Sequence, residues 1–195
     1  MKRKIILLLI LVVLQGRSRA QQCAGAQVKR PDPILSAAMK ELMSAAQRVR
    51  SAEAPAISAE AWFQLNQTAS EFAEALNRVA RTKRDRQKCS NVALEASAMG
   101  IPIYLCEFSA QWVASNEGYL IYHQFLRNGP RAEDAWFYGE LGNTPHRCVD
   151  YGGTKDEGEH YVPLYQAFLH RFPNGKHATE AKEMLKIFEN EAKSK

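Results

Sequence analysis

The run His146-Arg-Cys148-Val-Asp150-Tyr-Gly-Gly, continuing to Glu159-His160, sets the imidazoles of His146 and His160, the Cys148 thiol and the carboxylates of Asp150 and Glu159 within fifteen residues. Zinc accepts all of these donors. His146, Asp150, Glu159 and His160 are therefore the candidate metal set, and Cys148 beside His146 or His160 is a candidate thiol nucleophile with its base. The spacing weakens both readings. Zinc sites set their ligands in close pairs such as C-x-x-C, and no such pair occurs here. There is no Gly-x-Ser-x-Gly elbow for a serine nucleophile. Glu107, Glu117, Glu140 and Glu159 are scattered singly, as on solvated helix faces. The sequence predicts a non-catalytic protein without a cofactor. A secreted enzyme or metal-binding module centred on the 146–160 loop is the alternative.

Export explains the cysteines better than chemistry does. Lys2, Arg3 and Lys4 precede the apolar run Ile5 to Leu14, and Ser18-Arg19-Ala20 supplies small residues at an exit site. That order is a secretory signal over residues 1–20. The apolar run is half the length of about 20 residues that a membrane span needs. In an oxidising compartment an even set of cysteines pairs into disulfides. The set is Cys23, Cys89, Cys106 and Cys148. Of the three connectivities, the preferred one joins Cys89 with Cys106, tying two neighbouring helices together, and Cys23 with Cys148, fastening the tail to a long loop. A bonded Cys148 is no nucleophile.

Signal removal also changes the charge. Of 26 basic residues, Lys2, Arg3, Lys4, Arg17 and Arg19 lie in the signal, which leaves 21 against 21 acidic ones. A neutral mature chain lacks the clustered charge of a nucleic-acid binder. Arg78, Arg81, Lys83, Arg84, Arg86 and Lys88 form a single basic run. It is read as a solvated helix end, where cations complement the macrodipole. A periplasmic or secreted protein with a protein or peptide partner, no nucleic acid and no membrane span after signal removal is the expectation.

The elements that position these groups are helical. After a flexible tail over 21–31, one all-α domain is expected over 32–195. Asp32-Pro33 supplies an N-cap and a first-turn proline. Leu35, Met39, Leu42, Ala46 and Val49 then step by three and four, an apolar helix stripe. Pro55 and Ser58 break and cap, and Trp62, Leu65, Ala69, Phe72, Leu76 and Val79 form a second stripe facing the first in a hairpin. Asn91 to Met99 reads as a short helix stopped by Gly100, and Pro102 opens another carrying Leu105, Phe108 and Trp112. Ile101 to Leu105 has strand composition, but without an evident partner strand its backbone would go unpaired, so helix is preferred.

The last eighty residues repeat. Tyr122, Phe125, Leu126, Pro130 and Ala135 recur as Tyr165, Phe168, Leu169, Pro173 and Ala178, a constant offset of 43. Such periods mark stacked helix pairs. The phrase Phe168-Leu169-His-Arg-Phe172-Pro173-Asn-Gly175-Lys-His-Ala178-Thr-Glu180-Ala181 resembles the helix-turn-helix of tetratricopeptide-like repeat proteins of the bacterial cell envelope. The resemblance is good over 161–189 and fair over 117–141. It implies a repeat pair over 117–195, from which this sequence departs by a loop at 142–157 between the two units, and it implies packing and partner binding rather than catalysis. The fold expected is therefore a compact bundle of helical hairpins ending in two such units. Trp136-Phe137-Tyr138 are consecutive, so one helix face cannot bury all three rings, and they are the candidate partner contacts.

Overall fold

In the computed structural model the described residues are 32–142 and 154–193. Most belong to helices, in an all-α bundle that carries one small two-stranded sheet. Helix α1, Pro33–Ser51, starts as its sequence dictates: the Asp32 carboxylate accepts from the amides of Ile34 at 2.8 Å and Leu35 at 3.3 Å, with Pro33 at the first position. Its stripe points inward, with Leu35, Leu42 and Ala46 buried and Met39 and Val49 packed beside them. Helix α2, Pro55–Val79, begins at Pro55 after Ala54 with no side-chain cap, so Ser58 lies inside the helix instead of capping it.

α2 is the central element because it is apolar on two faces. Leu65, Ala69, Phe72 and Leu76 meet α1, while Ala59 and Phe63 meet Tyr119 and Tyr122. Both faces together exceed the single stripe of a surface helix.

After α2 come α3, Lys83–Lys88, and α4, Ser90–Ser97. The basic run is thus not one helix end. Only Arg78 lies in the last turn of α2, and Lys83 and Arg84 open α3 behind the Thr82 N-cap.

Residues 101–114 overturn the helix expected there. Ile103–Leu105 is strand β1 and Trp112–Ala114 is strand β2, antiparallel, with Tyr104 opposite Val113. The missing partner strand was the segment containing Trp112. Side chains of the helices satisfy the remaining backbone groups. Asn77 of α2 donates to the Trp112 carbonyl and accepts from its amide, both at 2.8 Å, and the Ser97 hydroxyl accepts from the Ile103 amide at 2.8 Å. Two short strands suffice because α2 and α4 supply what a wider sheet would. Phe108, expected on a buried stripe, is on the intervening loop and 68% exposed.

The remaining hairpins are α5, Glu117–Phe125, with α6, Ala132–Ala135, and α7, Lys155–Arg171, with α8, Ala178–Ala192. α6 continues into a π-helical turn, Trp136–Glu140. α7 begins at Lys155 with a reciprocal capping box between Thr154 and Glu157, inside what was expected to be loop to 157. The two turns match hydrogen bond for hydrogen bond. Leu126 amide to Tyr122 carbonyl, Gly129 to Leu126, Ala132 to Gly129 and Ala135 to Arg131 correspond to Phe172 to Phe168, Gly175 to Phe172, Ala178 to Gly175 and Ala181 to His177. The structural offset is therefore 46, not 43. Tyr122 corresponds to Phe168, both fully buried, whereas Phe125, paired with Phe168 at 43, is 56% exposed. Burial and backbone bonding fix the register, and the identities at 43 do not.

Candidate functional site

His146, Cys148 and Asp150, like Cys23, lie outside the described residues. Glu159 and His160 are exposed on α7, where Glu159 pairs with Lys155 at 3.8 Å. Among the described residues no set of three or more His, Cys, Asp and Glu side chains converges as metal ligands. Cys89 and Cys106 are buried and each is disulfide-bonded, so neither offers a thiol. No described helix is long and apolar enough to cross a membrane.

Beside the His123–Glu140 pair within one hairpin, two sets of ionisable side chains converge where one hairpin meets the next. Arg131, in the turn before α6, donates from Nε to Glu60 of α2 at 2.6 Å and lies over the Phe63 ring at 4.9 Å. His177, the corresponding residue of the next turn, donates from Nε2 to Asp134 at 2.8 Å. Its ring stacks on Phe137 at 4.1 Å with a 7° interplanar angle. Each contact is a basic group held between a carboxylate and an aromatic ring three residues further along the preceding helix. The second is reinforced: Lys176 reaches Asp134 at 2.6 Å, and the His177 amide donates to Glu133 at 2.8 Å. Asp134 and His177 are largely buried, so this pair is screened less than a surface one. Two close approaches seat the units. A Cβ on Gly118 would lie 2.4 Å from the Trp62 carbonyl, and one on Gly175 would collide with the Glu133 carboxylate.

The π turn resolves the three adjacent rings. The Leu141 amide bonds the Trp136 carbonyl five residues back, which widens the helix and sends consecutive side chains into different seams. Trp136 meets Phe168 and Phe172, Phe137 meets Phe168 and His177, and Tyr138 meets Tyr119. Phe137 is buried, so it presents nothing to a partner, and Trp136 and Tyr138 are half-buried.

Burial also governs the tyrosines. Tyr119 is pushed well above the ordinary phenol value by burial, opposed by its hydrogen bond with Ser70, with nearby Tyr138, Asp134 and Glu71 raising it further. Tyr138 is raised by burial and then by Asp134. These are neutral structural phenols, not general bases.

Sequence reasoning passed over Glu60, Phe63, Arg131, Asp134 and His177. A signal existed: Glu60-Ala61-Trp62-Phe63 and Asp134-Ala135-Trp136-Phe137 are the same acid-Ala-Trp-Phe phrase at an offset of 74. It was hidden because the 80–115 insertion separates the two copies. The chain matches no protein-family model, no curated protein and no solved structure.

Proposed function

We propose that this chain is a non-catalytic, exported scaffold of the bacterial cell envelope, built from tetratricopeptide-like hairpins and presenting them to a protein or peptide partner. The observation that carries the reading is the repeated interlock. Glu60 with Arg131, and Asp134 with Lys176 and His177, bind one another across hairpin boundaries, which supports three units held in a fixed stack. Groups committed to fixed mutual contacts stabilise a frame. A frame of paired helices exposes long side-chain rows without reorganising, which favours binding of extended partners. The export signal, the disulfides at Cys89 and Cys106 and the neutral mature charge fit a compartment outside the cytoplasm.

The test has two arms. Fused to a reporter that folds only outside the cytoplasm, the chain is expected to give an active reporter and to lose its first 20 residues. A photo-crosslinking residue at exposed Phe125 should then yield a discrete, saturable adduct in intact cells. A cytoplasmic product, or an exported one that turns over substrate with bound metal and forms no adduct at any exposed position, would overturn the reading.

A further inference from the structure

α2 and the segment after it are tied to the β hairpin at two places. Asn77 brackets Trp112, and the Arg86 guanidinium donates to the carbonyls of Ala80 and Ala110. Ala110 holds φ +52°, a left-handed conformation that a residue with a Cβ rarely adopts. Phe108, two residues earlier, is 68% exposed. Around this junction Arg78, Arg81 and Arg84 are exposed, and none has a side-chain partner among the described residues. Between 78 and 88 six basic residues face one acidic residue, Asp85, and Glu107 flanks the ring.

Helix stability accounts for Arg78, in the last turn of α2, but not for the others. Lys83 and Arg84 occupy the first turn of α3, the end at which the helix dipole disfavours positive charge. Arg81 belongs to no helix. Fold stability explains Arg86, through its two carbonyls, and Arg78, through the helix end it occupies.

We propose that this patch docks the protein on the anionic phospholipid head groups of a bilayer surface, with Phe108 seated at head-group level. Unheld arginines suit a fluid field of phosphates, and juxtamembrane basic residues are drawn to anionic leaflets. An exposed ring on the loop that Arg86 holds suits the interfacial layer, where aromatic side chains collect. Nucleic acid is the poorer fit: single strands need successive stacking platforms and duplexes need an element seated in a groove. One ring on a hairpin loop and three unfixed guanidinium groups supply neither. The inference stands whether or not the hairpins bind a protein partner.

The chain recovered after export is sedimented with vesicles of phosphatidylcholine and phosphatidylglycerol in equal parts, and with pure phosphatidylcholine, at low and high salt. Binding is expected to the mixed vesicles alone and to fall at high salt. Each arginine near such a surface contributes about fivefold, so the triple change Arg78→Glu, Arg81→Glu, Arg84→Glu should lower partitioning on the order of a hundredfold. Phe108→Ser should lower it about fivefold at either salt, because apolar transfer is not screened. Far-ultraviolet circular dichroism checks the fold, and if the Glu triple loses helix, the Gln triple is measured in its place with the same direction expected. No binding to the mixed vesicles, equal binding to the neutral ones, or undiminished binding of the charge variants overturns the proposal. So does retention of a DNA oligonucleotide or an acidic protein where vesicles are ignored.

Discussion

Gly118→Ala gives the sharpest test of how the hairpins are seated. Taken alone, the change should stabilise, because alanine restricts the unfolded chain and is worth about 0.4–1 kcal/mol at a compatible site. The packing reverses the sign. The new Cβ would lie 2.4 Å from the Trp62 carbonyl oxygen and 2.8 Å from the Asn66 Cβ. Both are backbone or side-chain-root atoms, so no rotamer relieves the contact and α5 must move off α2. Overpacking of this kind costs about 1–3 kcal/mol. The same movement breaks the bond from the Gly118 amide to Asn66 Oδ1, at 2.8 Å, and Asn66 is fully buried. An orphaned buried acceptor adds about 1–3 kcal/mol. The net expectation is a loss of about 2–4 kcal/mol, or a Tm lower by about 4–16 °C for a chain of this size. Urea and thermal unfolding measure it. Gly139→Ala is the companion, since its Cβ meets nothing nearer than 3.2 Å and should shift Tm far less. A Gly118→Ala protein as stable as the parent would refute the close approach and the seating of α5 built on it.

Three further outcomes are expected. In a double-mutant cycle, Asp134→Asn and His177→Ala should couple by about 1 kcal/mol in unfolding free energy, and additive effects would mean that the pair does not bridge the hairpins. Asn77→Ala should cost about 1–3 kcal/mol and speed hydrogen exchange at Trp112 and its neighbours ahead of the helices, because both polar groups of Trp112 lose their partner; unchanged exchange there would contradict the bracket. Because the Tyr119 phenol is raised by burial, the unfolded chain sheds that proton first as pH climbs, so stability should be intact below about pH 10 and decline above it. A Tyr119→Phe protein should lose part of that alkaline decline, and an identical pH profile would argue that the phenol is not buried.

The helices were legible because a helix writes its buried face into the spacing of apolar residues, as Leu35, Leu42, Leu65, Phe72 and Leu76 do. The second buried face of α2 was harder to see, since Ala59 and Phe63 interleave with the first stripe. Strand β1 is three residues long, too short for a period to establish itself, and the side chains that complete it come from Asn77 and Ser97. The repeat was visible but misregistered. Identities at 43 align exposed Phe125 with buried Phe168, whereas the backbone aligns Tyr122 with Phe168. Nor could composition announce the π turn, since nothing in the types of Trp136, Phe137 and Tyr138 sets the pitch of the helix that carries them. The residues of the interlock were individually ordinary, and only their pairing across an inserted segment makes them a motif.

The interlock also determines how long this array can be. At the position of Arg131 and His177 the first hairpin carries Ile57, which has no charge to give, and it stands in solvent. Where Asp134 and Phe137 receive an imidazole, the last hairpin carries Glu180 and Glu183, two exposed carboxylates with no ring between them. A second molecule arriving at one end finds nothing to donate, and at the other no surface to stack upon. Head-to-tail fibres, the hazard of any modular coil whose ends mirror its joints, are thereby discouraged by two substitutions in the pattern that fastens its interior.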